Sequence, residues 1–158
     1  GAWDSAATPK FKVNLVSSAI GKPGVAVTGT VTYDFISNDV TAVNLTVPVT
    51  LRLSDVVRIN VNGGWMLDRS ADRQYLTYGL GVDWRTPDNV WTLTAELFGQ
   101  AANTAVPVSV TQPRYQIGLR WRPVDRWNVD FIYGRNITGE NANWFTVATV
   151  MRFPPRDE

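Results

Sequence analysis

The sequence predicts an all-β protein, an antiparallel up-and-down transmembrane β-barrel of about eight to ten strands. Three observations support this prediction. Apolar and polar residues alternate along successive runs of the chain. Tryptophans from the apolar sets of these runs flank short links, as expected for amphipathic rings at a lipid headgroup layer. Short and long links also alternate along the chain, as they do in barrels of the bacterial outer membrane.

The strands are predicted from this period of two. In the clearest run, 42–53, every second residue from Val43 to Leu53 is apolar, which excludes a helix. The other predicted strands are 10–16, 25–35, 57–65, 75–85, 91–97, 114–122, 127–134 and 144–153. This odd count leaves three alternatives: residues 1–9 supply part of a tenth strand, 10–16 is not a strand, or the chain is a piece of something larger. Pro48 cannot donate a hydrogen bond, so a β-bulge is expected there.

The links between these strands are predicted to lie at the two ends of the barrel. The short links are 54–56, 86–89 and 122–126, and the long links are 36–41, 68–74, 100–113 and 136–143. Segment 100–112 carries no charge. We expect it to fold inward as a constriction, to cap the barrel, or to extend its hairpin as strand.

The short links also predict a register. If Trp121 faces Trp127, then Leu119 faces Val129 and Ile117 faces Phe131. By the same argument, pairing Trp84 with Trp91 puts Glu96 opposite Gly79, and Asp130 is expected opposite Gly118 with Arg120 diagonal to it. The two glycines at 79 and 81 are expected to make room for Glu96.

Aromatic residues at the strand ends predict two girdles, one at each membrane interface. Their members are Trp84, Trp91, Trp121, Trp127, Tyr115, Tyr133 and Trp65. The alternative is a soluble ligand-binding β-barrel whose apolar face points inward. Glycines and charges on the polar face, aromatics at strand ends and the scarcity of lysine argue against it.

The polar phase of the strands predicts a network of charged residues in the barrel lumen. Its members are Arg58, Asp83, Glu96, Arg114, Arg120, Asp130 and Arg152. Because unpaired charge inside a barrel is costly, a structural ion-pair network is preferred over catalytic carboxylates. The chain has no histidine and no cysteine, so we predict no enzyme, no metal site and no cofactor. Basic and aromatic residues lie on opposite faces, so nucleic-acid binding is not expected.

Several segments resemble known outer-membrane proteins. Phe153, in phase with Phe145, Val147 and Met151, resembles the C-terminal signature that the barrel-assembly machinery reads, although 154–158 follow it as a tail. Arg58–Trp65, Tyr78–Val82, Leu93–Gly99 and Tyr133–Gly139 resemble the transporter family of the meta-pathway of phenol degradation. This resemblance implies passage of small hydrophobic or aromatic compounds across the outer membrane.

The resulting expectation is a single outer-membrane β-barrel domain over 1–158, located in the outer membrane of a Gram-negative bacterium. Its expected partners are outer-membrane lipid and lipopolysaccharide, the barrel-assembly machinery, and a small hydrophobic substrate. The first expected function is a narrow channel or lateral passage. The alternative is a structural or adhesive barrel whose loops bind lipopolysaccharide or a partner.

Overall fold

The computed structural model describes residues 5–102, 113–137 and 142–152, and within these ranges the protein forms ten β-strands and no helix. The strands are β1 Ala6–Ala7, β2 Lys10–Val16, β3 Gly24–Asp34, β4 Asp39–Arg52, β5 Val57–Asp68, β6 Arg73–Arg85, β7 Trp91–Ala102, β8 Arg114–Val124, β9 Trp127–Asn136 and β10 Asn143–Met151. The predicted strands are therefore all present, most of them longer than the alternation alone indicated.

All ten strands belong to one antiparallel up-and-down sheet in which β3 to β10 pair in chain order. β1 and β2 both pair with the same side of β3 and share one register, since Ala6 faces Asp34 and Lys10 faces Thr30. Between them, the carbonyl of Pro9 accepts a hydrogen bond from Val31 N at 3.2 Å. β1 and β2 thus form one edge strand, interrupted where proline lacks a donor. The alternative that 10–16 is not a strand is wrong.

The sheet is strongly curved. The rings of Phe98 in β7 and Trp144 in β10 have centroids 6.4 Å apart, although three strand spacings in a flat sheet would separate them by about 14 Å. The hydrogen-bonded ladder is open, however, because in the described ranges β10 pairs only with β9, and β1 and β2 pair only with β3. In the described ranges, the ladder therefore does not close into a barrel.

The predicted registers of two hairpins are wrong by two residues. Trp121 faces Val129, and Asp130 faces Arg120 directly. Trp84 faces Leu93, so Glu96 faces Gly81 rather than Gly79. The β8–β9 connection is a two-residue turn, 125–126, that follows a register shift between Trp121 and Val124. A two-residue shift leaves every side chain on its predicted face.

The links have more similar lengths than predicted. The links 35–38 and 69–72 have four residues each, like 53–56, because the strands extend into them. From β3 to β7, the 86–90 link is the longest, with five residues. Most of segment 100–112 and all of 153–158 lie outside the described residues, so the gating interpretation of that segment and the role of Phe153 stay predictions.

The bulge expected at Pro48 is also absent. Pro48 faces Asn62 in an unshifted β4–β5 register. Toward β3, the ladder keeps the same register from Val25–Val49 to Thr28–Thr46 and skips the intervening pairs. The missing N–H of proline is therefore accommodated by a local gap in pairing.

The links divide the sheet into two ends. The Trp end carries the links 17–23, 53–56, 86–90 and 125–126. The opposite end carries the links 35–38 and 69–72, and there β7 and β9 end and β8 and β10 begin.

Candidate functional site

The convex face of the sheet carries the apolar residues of each strand, and they are exposed. Leu80 in the middle of β6 is 53% exposed, Leu93 is 49% exposed and Ile117 is 53% exposed. The residues directly opposite them in the neighbouring strands are apolar as well, since Leu80 faces Val61 and Leu97, and Leu93 faces Trp84. The sheet therefore presents a continuous apolar surface outward.

Tryptophans lie on this surface close to the Trp end. Trp91 and Trp121 face each other in adjacent strands and stack with ring centroids 6.1 Å apart. Trp84 occupies the penultimate position of β6 and Trp127 the first position of β9. The indole N–H of Trp127 donates to Thr149 Oγ1 at 2.5 Å. These four predicted girdle residues therefore lie near one end of the sheet.

The remaining predicted girdle residues lie near the opposite end. Trp65, Tyr115 and Tyr133 each occupy a position within four residues of a strand terminus there. Trp65 Nε1 donates to Gln74 at 3.2 Å, and the Tyr133 hydroxyl donates to Asn143 at 3.2 Å. The polar atoms of Trp65 and Tyr133 thus have partners while their rings stay on the convex face.

The concave face carries the predicted charged residues, and four of them form two ion pairs. Arg58 Nε and Nη2 donate to the same oxygen of Asp83 at 2.8 and 2.6 Å, and Asn60 adds a third hydrogen bond at 3.0 Å. Arg120 forms a bidentate ion pair with Asp130, in which Nε donates to Oδ1 at 2.6 Å and Nη2 donates to Oδ2 at 2.9 Å. Each of these two carboxylates is therefore paired with an arginine on the neighbouring strand.

Glu96 and Arg114 lie further toward the opposite end. Glu96 accepts a hydrogen bond from Gln116 Nε2 at 2.6 Å. Its side chain lies beside Gly79 and Gly81, where an added Cβ would come within 3.6 to 3.7 Å of it. These are ordinary van der Waals distances, so a requirement for glycine to make room for Glu96 stays a prediction. Arg114 lines the same cavity of about 480 Å³. The predicted network is thus divided into two groups along the concave face.

The Trp end of the concave face contains a cavity of about 440 Å³ that is rich in arginine. We call it the arginine cavity, and its arginines are Arg52, Arg58, Arg85, Arg120, Arg122 and Arg152. Three of these were not in the predicted network. In the sequence, these three arginines are recognisable only as polar-phase residues near the ends of β4, β6 and β8. That they line one cavity becomes clear only from the sheet topology.

The link 17–23 forms a wall of this cavity. Ser18 is among the lining residues. Gly21 N donates to the carbonyl of Arg52 at 3.0 Å, and Ile20 forms a bridge with the same residue. Gly21 has a φ of 72°, a conformation that favours glycine. The link therefore folds back against the end of β4.

Aromatic residues inside the curve were also missed by sequence reasoning. Phe98 and Trp144 meet edge to face, and Tyr75 is only 5% exposed. All three occupy the polar phase of their strands, so the alternation gave no reason to group them. They narrow the concave face near the opposite end.

Metal ligands and helical spans were sought in the described part of the chain. No cluster of three or more Asp and Glu residues there could hold a metal ion. No helix in the same ranges is long and apolar enough to cross a membrane.

The chain belongs to a protein family. The family described as Uncharacterised conserved protein UCP029691 matches residues 1–153, and this description names no activity. No curated protein and no solved structure matches the chain.

Proposed function

We propose that this chain is an outer-membrane β-barrel whose convex face contacts lipid and whose concave face provides a narrow polar passage. The observation that carries this proposal is the distribution of exposure. Leu80 on the convex face is 53% exposed, whereas the side chain of Asp83 on the concave face is only 16% exposed. An apolar surface extending over whole strands is costly in water and favourable in hydrocarbon.

Closure of the sheet is part of this proposal. Inside a bilayer, unpaired backbone groups at a sheet edge cost several kcal/mol each by estimates for buried polar groups. The outer edges of β1–β2 and of β10 must therefore find partners on insertion. We propose that they pair with each other.

The solute that the concave face would admit is polar. Arginines exceed carboxylates there, so a conducting path should favour anions. Small hydrophobic compounds, which the phenol-pathway resemblance implies, would instead follow an apolar depression of about 460 Å³ on the convex face. It is lined mainly by apolar residues, together with Thr94 and Gly118: Leu93, Ile117, Leu119, Phe131, Tyr133 and Phe145. Single-channel recordings in planar bilayers should show anion preference, and a clear cation preference would contradict the charge assignment.

A structural or adhesive barrel is the second candidate. The contact between Phe98 and Trp144 and the two arginine–aspartate pairs occupy the concave face, and barrels of this size are nearly filled by side chains. A protein that inserts and folds without measurable conductance would favour this candidate over a passage.

Membrane insertion is tested by Leu80→Arg. Charge on a lipid-facing strand centre should lower the free energy of unfolding in lipid vesicles by about 2–4 kcal/mol, measured by denaturant titration. The matched control is Ala71→Arg in the exposed 69–72 link, where the same charge should have little effect. A soluble monomer without detergent, in which Leu80→Arg leaves stability unchanged, would contradict the membrane proposal.

A further inference from the structure

We propose that the arginine cavity is a binding site for a phosphate-bearing anion. Six arginines from β4, β5, β6 and β8 and from the residue after β10 line this one space. Arg52 and Arg58 face each other in adjacent strands, Arg120 and Arg122 lie two residues apart on β8, and the cavity adds Arg85 and Arg152 from other strand ends. Such a concentration of positive charge on a concave surface attracts anions.

The carboxylates nearby do not balance these arginines. Asp83 pairs with Arg58, and Asp130 pairs with Arg120. The third carboxylate is that of Asp55, which approaches Arg52 only at 3.9 Å. Arg85, Arg122 and Arg152 form no ion pair with another described residue. Three positive charges in the cavity therefore have no carboxylate partner in the described ranges.

Neutral side chains hold two of these three guanidinium groups. Arg122 Nε donates to Asn128 Oδ1 at 3.2 Å, and Asn128 is only 3% exposed. Arg85 Nη1 donates to Asn89 Oδ1 at 3.3 Å. An amide orients a guanidinium group without neutralising its charge. The arginines are thus positioned while their charge stays available to a ligand.

The charge and the shape of the cavity favour phosphate over a single carboxylate. A phosphate group offers several acceptor oxygens and up to two negative charges, which suits three guanidinium groups from different directions. The cavity volume of about 440 Å³ leaves room for such a group and the moiety that carries it. Two sources share this chemistry: free phosphate compounds and the headgroup of a phospholipid or lipid A at the membrane surface.

This inference deepens the proposed function, because the cavity would be the anion-selective part of the polar passage. The binding of free phosphate, however, needs only the folded chain. It can therefore be measured in dodecyl maltoside micelles, which carry neither charge nor phosphate, without any conductance.

The experiment is isothermal titration calorimetry with inorganic phosphate at constant ionic strength, with acetate and chloride titrated in parallel. We expect saturable binding of phosphate. Arg122→Gln and Arg152→Gln should each weaken binding about tenfold, as expected for loss of a hydrogen bond to a charged group. Arg69→Gln is the matched control, because Arg69 is an exposed arginine near the opposite end, paired with Asp39 at 3.5 Å. It should leave phosphate binding unchanged.

Two further measurements separate the outcomes. Near-ultraviolet circular dichroism, sensitive to the Trp91–Trp121 stack, shows whether a variant is folded. Arg122→Lys keeps the charge but loses the planar fork, so it should bind phosphate with an affinity between wild type and Arg122→Gln. Equal binding of acetate, chloride and phosphate, or equal losses for Arg69→Gln and Arg122→Gln, would overturn the site.

The lipid source is tested with vesicles of phosphatidylcholine with and without phosphatidic acid. If phosphatidic acid in the vesicles displaces bound inorganic phosphate, the site binds a lipid headgroup. If phosphatidic acid does not displace it, the site binds a free phosphate compound. Folded, inserted protein that does not bind phosphate in either form overturns this inference alone. Phosphate binding by a chain that does not insert into vesicles overturns the membrane proposal alone.

Discussion

The glycine at position 134 determines where the Trp144 side chain lies on the concave face of the sheet. The indole of Trp144 lies directly over Gly134, so a Cβ at this position would overlap the ring. The absence of a side chain lets Trp144 reach Phe98. We predict that Gly134→Ala displaces the indole and lowers the free energy of unfolding by about 1–3 kcal/mol, the usual range for overpacking.

The matched control for this prediction is Gly63→Ala. Nothing lies within 4 Å of a Cβ added to Gly63, so this variant should be close to neutral. Denaturant titrations of both variants, with Trp fluorescence as readout, check the difference. Equal destabilisation of the two would mean that a general loss of glycine, rather than the Trp144 contact, is responsible.

Asp83 is the acceptor on which a local hydrogen-bond network depends. Its partly buried carboxylate accepts hydrogen bonds from Arg58 and Asn60. Asp83→Asn should therefore lower the free energy of unfolding by about 1–2 kcal/mol, less than for a fully buried pair because Arg58 is partly exposed. Asp39→Asn removes an exposed ion pair with Arg69 and should cost little. The two variants are compared by the same titration. A larger loss for Asp39→Asn would contradict this ranking.

At the residue scale, the sequence predicted the faces but not the partners. Arg58, Asp83, Arg120 and Asp130 were predicted on one face from alternation, and they lie on the concave face. Which arginine meets which carboxylate depends on register, and a shift by two residues preserves every face. The period of two therefore cannot distinguish the observed Arg120–Asp130 pair from the predicted diagonal one.

At the element scale, strand existence was predictable and strand ends were not. The boundaries of β2 were predicted as observed, whereas β4 and β5 extend beyond their apolar alternation. Polar residues such as Asp39 and Asp68 extend the ladder through backbone hydrogen bonds, to which hydropathy is insensitive. This also explains why predicted long links are short turns in the structure.

The 86–90 turn is an element with its own acid-sensitive interaction. Asp88 accepts hydrogen bonds from the Thr86 hydroxyl and from Val90 N, and these bonds lower the pKa of Asp88 below its ordinary value. A carboxyl with a lowered folded-state pKa stabilises the fold above its unfolded-state pKa. That contribution is lost as the pH falls through the folded-state value.

We therefore predict that the stability of Asp88→Asn depends less on pH in the acidic range than the stability of the wild type does. The wild type should lose more stability than the variant as the pH falls through the carboxyl range, while their difference stays constant at neutral pH. Thermal unfolding in detergent across this range measures the effect. Parallel profiles for the two proteins would show that the turn does not contribute to acid sensitivity.

At the scale of the whole molecule, strand parity determines how the sheet could close. β1 and β2 together occupy one position, so the sheet has nine strand positions. In an up-and-down sheet with an odd number of positions, the two edge strands run in the same direction. β2 and β10 both run toward the Trp end, and a closed barrel would therefore need a parallel seam between them.

The parallel seam is tested by cysteine pairs in this cysteine-free chain. Leu15→Cys with Met151→Cys places both thiols at exposed positions near the Trp end. A parallel seam should allow an intramolecular disulfide there, which requires Cα atoms about 4.4–6.8 Å apart. Leu15→Cys with Phe145→Cys is the control, because Phe145 lies near the opposite end of β10 and should not react. The readout is non-reducing electrophoresis of protein in lipid vesicles. A disulfide within one chain would support the parallel seam. A disulfide-linked dimer would instead show that the open edges pair with a second copy.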